Sequence, residues 1–256
     1  SPTVISRSAD LELSLERIMS GKCLNAGQIC IAPDYLMVPE ESLDEVIKIT
    51  QSVVGQMYPT LLDNPQYTSV INQRHHDRLS GYLADAESQG LQVIPINPAD
   101  ESFETSTSMK IPPTMVINPT DDAKCMQEEM FGPILPIVTY RSFDDTIDYI
   151  NSHPRPLAAY YFGTDAAEEE NFLKRTTSGG ACVNDVMFHM LQKDLPFGGV
   201  GPSGMGAYHG IEGFKTFSHA KSVYKQTLSF NVSKLGGFLP PYGDAAEKAI
   251  KAQVKR

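Results

Sequence analysis

Short apolar runs alternate with amphipathic stretches along most of this chain, and that rhythm limits the fold more than any other feature. Thr3-Val4-Ile5, Tyr35-Leu36-Met37-Val38, Leu91-Gln92-Val93-Ile94-Pro95, Met115-Val116-Ile117, Leu135 to Tyr140, Ala158 to Phe162 and Ala181-Cys182-Val183 read as strands rich in β-branched and aromatic residues. Helical spacing fills the gaps. Asp10 can cap a helix through about residue 23, with Leu11, Leu15, Ile18, Met19 and Lys22 on one stripe. Residues 41–57, 74–89, 143–151 and 166–175 repeat the pattern, and Gly90 stops the second of these. Strands alternating with helices predict βαβ units, hence an α/β fold with a mostly parallel sheet between two helical layers, a three-layer αβα arrangement. Residues 97–110, polar and rich in Ser and Thr, read as a surface loop. After Phe217 the run Val223 to Leu228 reads as a late strand with no helix to return it, an edge strand on its residues alone. Residues 245–256 make at most a short basic amphipathic helix.

A chain of 256 residues buries one sizeable core. Apolar residues at 41% and charged ones at 20% are those of a folded globular protein rather than a disordered one. The net charge of −10 is spread along the chain and repels phosphate backbones and anionic lipid, so neither nucleic acid nor a membrane is the expected partner. Cys23, Cys30, Cys125 and Cys182 lack Cys-x-x-Cys spacing, and His75-His76 face different ways, so no metal site is expected. Scattered free thiols suit a reducing compartment. With no signal peptide at the start and no apolar run of membrane-spanning length, the expected location is cytoplasmic.

One cysteine differs from the others in its surroundings. Asn25, Ala26 and Gly27 permit a close, non-helical backbone just before Cys30, which places that thiol where the chain changes direction. At such a turn the residue's own N–H is exposed and can meet the oxyanion formed when sulfur attacks a carbonyl. The plain alternative is a buried small hydrophobe, the usual fate of a cysteine among apolar neighbours. That burial is the expectation for Cys23, Cys125 and Cys182.

The stretch Asn25-Ala26-Gly27-Gln28-Ile29-Cys30-Ile31-Ala32-Pro33-Asp34-Tyr35 resembles the nucleophile motif of the aldehyde dehydrogenase superfamily, and its Ala-Pro-Asp-Tyr ending resembles the class 3 and fatty-aldehyde branch, which includes the coniferyl aldehyde enzymes. Further blocks follow in the family's order. They are Gln127-Glu128-Glu129-Met130-Phe131-Gly132-Pro133, Thr177-Ser178-Gly179-Gly180 with Asn184-Asp185, and Leu195-Pro196-Phe197-Gly198-Gly199 through Tyr208-His209-Gly210. The match is to the family's C-terminal half only. It implies that Cys30 is the catalytic nucleophile, that Glu129 holds the ribose hydroxyls of NAD or NADP, and that Phe131 lies beside the nicotinamide. It also implies a catalytic domain over residues 1–218 and a C-terminal oligomerisation strand and tail over 219–256, with the chain working as a homo-oligomer, a dimer. The family's general-base glutamate precedes the Ser-Pro that opens this chain. The resemblance therefore places that base, and an N-terminal dinucleotide-binding domain, outside these residues.

Other patterns carry less. Adjacent acids such as Glu128 and Glu129 ordinarily open a solvated helix, where carboxylates suit the macrodipole. Gly199-Val200-Gly201-Pro202-Ser203-Gly204 has the letters of a phosphate-binding fingerprint without the strand before it or the helix after it, so a glycine-rich turn is expected. His209 has a structural or capping role as its plain reading. Residues 185–193, with Val186, Met187, Phe188 and Met190, have the adaptable apolar character of a pocket for an aromatic or medium-chain aldehyde, and equally that of core. The expected function is NAD(P)-dependent oxidation of an aldehyde, such as coniferyl aldehyde, to the acid through a Cys30 thiohemiacetal and thioester. A cysteine-dependent esterase and a non-catalytic oligomerisation module are the alternatives.

Overall fold

The computed structural model describes residues 1–254. The strands are β1 (Pro2–Ile5), β2 (Tyr35–Pro39), β3 (Gln92–Pro95), β4 (Thr114–Ile117), β5 (Ile134–Tyr140), β6 (Ala158–Phe162) and β7 (Gly180–Val183). The helices are α1 (Leu11–Cys23), α2 (Leu43–Met57), α3 (Gln73–Ser88), α4 (Lys124–Gln127), α5 (Phe143–Ser152), α6 (Ala166–Arg175), α7 (Phe188–Leu191), α8 (Gly210–Thr216), α9 (Val232–Leu235) and α10 (Asp244–Val254). The seven strands form one sheet in the order β3-β4-β5-β2-β1-β6-β7. Every pair is parallel except β3 with β4.

The inner strands are buried on both faces while the outermost, β3 and β7, are not, and alternation along each inner strand sorts the core into two sides. Ile5, Leu36, Val38, Leu135, Ile137, Tyr160 and Phe162 pack with Leu15, Ile18 and Met19 of α1 and Val46, Val53 and Val54 of α2. The intervening residues Val4, Met37, Ala159 and Tyr161 pack on the opposite face, with Phe143, Ile147 and Ile150 of α5 and Phe172 of α6. On that face Val116 and Ile134 meet Leu79, Tyr82 and Ala86 of α3. The helices start where their caps predict. Asp10 accepts from Leu13 N–H, Asn72 from His75 N–H and Asp165 from Ala167 and Glu168 N–H.

Two compact units divide the chain, Ser1–Phe217 and Ser218–Arg256. In the second, the strand expected over Val223–Leu228 is not formed. Residues 221–227 have no regular structure, and Val223, Tyr224 and Leu228 are exposed. A strand exists only through hydrogen bonds to a neighbouring one, and among the described residues this run has none. Its reading as an edge strand of the sheet is thereby corrected. Asp244–Val254 forms the tail helix. No helix among the described residues is long and apolar enough to cross a membrane.

Candidate active site

Cys30 sits before the amino end of β2, at the side of the sheet where the parallel strands begin. The turn leading to it is tight. Asn25, Ala26 and Gly27 take left-handed φ values of 52°, 53° and 72°. Gly27 has no substitute here, because a Cβ would lie 2.3 Å from the Gly132 carbonyl oxygen. Gln28 fastens the turn. Its side-chain amide donates to the carbonyls of Asn25 (2.9 Å) and Ser69 (3.1 Å) and accepts from Ile71 N–H at 2.9 Å.

Beyond Cys30 the chain is pinned by two buried donors. Tyr160 Oη donates to Ile31 O at 2.6 Å, and Lys22 Nζ donates to Pro33 O at 2.8 Å. Burial pushes the Lys22 ammonium down to about 8, opposed by Asp34. Lys22, the one cation close to Cys30 in sequence, is thus committed to a backbone carbonyl. Ile31 and Ala32 are buried while Cys30 stands exposed between them and the turn. The Cys30 N–H donates to no acceptor among the described residues.

Glu129 lies in the segment between α4 and β5, brought beside Cys30 by two contacts. Asp34 accepts Met130 N–H at 2.9 Å, and Gly27 packs on Gly132. Arg78 of α3 fixes the same segment from outside, donating to Met130 O at 2.8 Å and reaching Glu129 O at 3.4 Å and Phe131 O at 3.5 Å. Glu128 and Glu129 follow a helix rather than open one, so the macrodipole reading does not apply. Desolvation raises the Glu129 carboxyl above its ordinary range, with Asp34 adding to the effect.

One cavity is lined by the thiol itself and a second by the residue before it, Ile29. The first, about 440 Å³, is lined by Cys30 and Glu129 with Ser1, Asp34, Tyr149 and Arg155 among others. The second, about 560 Å³, is lined mainly by Leu24, Ile29, Met57, Met187, Phe188 and Met190, with Glu16, Arg17 and Asp185 also at its wall. Residues 185–193 therefore supply a cavity wall, and Phe188 and Leu191 are more than half exposed. Phe131 is half-buried at a φ of 43° and is not among the residues lining the first cavity. The glycine-rich run forms a single 3₁₀ turn, Gly201–Ser203, with no helix after it. His209 takes a φ of 83°, its Nδ1 lies 3.2 Å from Leu195 O, and it stacks on Phe197.

Cys23 and Cys125 are buried, and burial pushes their thiols up to about 12 and about 11. Cys182 is only half-buried and touches His189. No group of three or more metal-ligating side chains occurs among the described residues. Sequence reasoning missed Arg78, Tyr160 and the fastening role of Asp34. Asp34 lies inside the nucleophile motif, but Arg78 and Tyr160 act across long stretches of chain and carry no local signal.

The sequence and the fold are similar to those of known proteins. The model of the aldehyde dehydrogenase family matches residues 1–223. A coniferyl aldehyde dehydrogenase from a Pseudomonas species is 55% identical over 245 residues, 96% of this chain and 50% of that protein. A probable coniferyl aldehyde dehydrogenase from Caulobacter vibrioides is 52% identical over 256 residues, 100% of this chain and 53% of that one. Among solved structures, a substrate-bound Staphylococcus aureus AldH superposes with a TM-score of 0.82 at 37% identity, over 100% of this chain and 53% of its own. The chain spans about half the length of the relatives it matches, and its α/β fold is shared with the solved structure. It belongs to the aldehyde dehydrogenase family.

Proposed function

We propose that this chain carries the nucleophile of an aldehyde dehydrogenase using NAD or NADP, a reading supported above all by Cys30, an exposed thiol at the wall of one cavity and one residue along the chain from the wall of another, apolar one. Cys30 borders the one that holds Glu129, while Ile29, one residue earlier, borders the apolar one. A thiolate so placed receives an aldehyde from the apolar side and attacks its carbonyl carbon, forming a thiohemiacetal. The oxyanion falls to the Cys30 N–H, which has no acceptor of its own among the described residues. A bound nicotinamide dinucleotide supplies the acceptor for the hydride leaving that carbon, which converts the thiohemiacetal to a thioester. Water then cleaves the thioester, releasing the carboxylic acid and restoring the thiol.

The residues present fit part of such a cofactor. A carboxylate exposed in a cavity of about 440 Å³ suits a pair of ribose hydroxyls, each donating to one oxygen. We assign that role to Glu129, and assign Phe131 to the nicotinamide on the strength of its place two residues further along the segment Arg78 holds. Most of the dinucleotide site and the general base for deacylation belong, in this reading, to residues outside these 256.

The thioether- and aromatic-lined cavity suits an aromatic aldehyde such as coniferyl aldehyde, or a medium-chain one. Two similar relatives are named for coniferyl aldehyde. The exposed run Val223–Leu228, which pairs with no strand among the described residues, supports a homodimer in which it finds a partner strand. Four free thiols suit the cytoplasm, and the net charge of −10 supports neither nucleic acid nor a membrane surface as partner.

The test is NADH or NADPH production from coniferyl aldehyde by the 256-residue chain and by the same chain joined to an N-terminal half. Turnover should appear only on joining and vanish in Cys30→Ala. Robust turnover by the short chain would show a cofactor site other than the one assigned here.

A further inference from the structure

Outside the nucleophile turn, one other thiol has a built environment. Cys182 Sγ lies 3.1 Å from His189 Nδ1, and the His189 N–H points at the same sulfur at 3.4 Å. The imidazole is only 7% exposed. It lies between Tyr160 and Phe197, with ring centroids 6.1 and 5.8 Å away. It fills space that β7 leaves for it at Gly180, where a Cβ would stand 2.5 Å from the ring.

The pair is neutral. Burial pushes the imidazole down and the thiol up, so neither carries charge near pH 7. In a neutral pair the S–H can donate its hydrogen bond to Nδ1, with the single ring proton on Nε2. That Nε2 is buried without a partner among the described residues, a cost an apolar side chain would avoid. What the ring supplies in return is an acceptor for sulfur.

The elements joined here explain the use. Helix α7 has only four residues, too few to hold itself together, and it is entered through Met187 at a left-handed φ of 66°. Met187, Phe188, Met190 and Leu191 line the apolar cavity, whereas His189, within the same run, turns into the protein and is not among its lining residues. The Cys182 sulfur is thus where this wall is fastened to the sheet.

We propose that Cys182 and His189 form a positioning pair that fixes the wall of the aldehyde cavity and thereby sets its preference for bulky apolar substrates. The proposal rests on the reading that this cavity serves Cys30. Neither residue touches the reacting atoms, and both act through α7.

The test uses the intact chain and two reagents with the same reactive group, iodoacetamide and N-benzyl iodoacetamide. Rates of Cys30 alkylation are read from its peptide by mass spectrometry. The wild type should favour the benzyl reagent, and Cys182→Ala should lose about tenfold of that preference with the iodoacetamide rate unchanged. Cys182→Ser keeps a donor for Nδ1 and should restore it. His189→Phe fills the ring's space without the acceptor or the orphaned N–H, and should behave as Cys182→Ala does even if the latter folds poorly. Met190→Trp, which fills the cavity directly, is the control. If it abolishes the preference while Cys182→Ala and His189→Phe retain it, the pair is not a positioning device. If it too changes nothing, the cavity does not serve Cys30, and both the underlying reading and this one fall.

Discussion

The Asp34 carboxylate accepts the Met130 N–H at 2.9 Å, and this bond ties the segment after Cys30 to the segment that presents Glu129. The two residues lie 96 positions apart, so the register between thiol and carboxylate depends on tertiary contacts rather than on local chain. Removing the acceptor should therefore affect both stability and the site. Asp34→Ala is expected to cost about 1.5–3 kcal/mol in urea denaturation, the range for a hydrogen bond to a charged group. Because Asp34 raises the Glu129 carboxyl, the same variant should titrate Glu129 at lower pH, read by NMR of a labelled glutamate carboxyl. An unmoved titration would mean that the two carboxylates are not neighbours.

Gly27→Ala tests the close approach of the same two segments. The substitution places a Cβ at 2.3 Å from Gly132 O on a backbone held at a φ of 72°. A left-handed alanine alone costs about 1–2 kcal/mol, and the contact adds to it. Thermal denaturation should show a loss of several degrees, with Cys30 alkylation altered as well. Gly81→Ala is the comparison, since a Cβ there meets nothing within 4 Å, and it should be neutral or stabilising.

Much of this was legible in advance, and the remainder was hidden for definite reasons. Alternation of Val4 with Ile5, or of Met37 with Leu36 and Val38, marks strands buried on both faces, and the structure sends these residues to opposite cores. Nothing in Gln92–Pro95 shows that β3 runs against β4, because direction is set by the connection between them. The thiol turn announced itself through Asn25, Ala26 and Gly27. Arg78 did not, since its target carbonyls at 129–131 are backbone atoms about 50 residues away. The run Val223–Leu228 has the composition of a strand, but composition cannot provide the neighbour that makes one.

Lys22 gives a pH dependence with a definite sign. Its folded value of about 8 lies below the ordinary lysine value of 10.5, through burial, with Asp34, Cys23 and Glu129 facing it. Between these values the unfolded chain binds more protons, so folding stability gains from this group as pH rises from 8 to 10.5. The full gain is about 3 kcal/mol at 1.36 kcal/mol per unit. Stability of the wild type minus that of Lys22→Met should rise across this window in denaturant titrations. A flat difference would place the ammonium in contact with water.

His189 acts in the acid range. Its imidazole titrates below the ordinary histidine value because it is buried, so the unfolded state takes up the proton first as pH falls. The wild type should lose stability from about pH 6.5 downward, until the folded ring itself titrates. His189→Phe should lack that component, and equal slopes for the two proteins would contradict the buried neutral ring.

The central claim is that Cys30 forms the bond to the substrate, and trapping the acyl group tests it most directly. The chain joined to an N-terminal half is mixed with coniferyl aldehyde and NAD or NADP, quenched in acid within one turnover, and digested for mass spectrometry. The account predicts an acyl thioester on the peptide containing Cys30, with none on Cys23, Cys125 or Cys182, and no acylated peptide from Cys30→Ala. An acyl group on another residue, or turnover that survives Cys30→Ala, would contradict it.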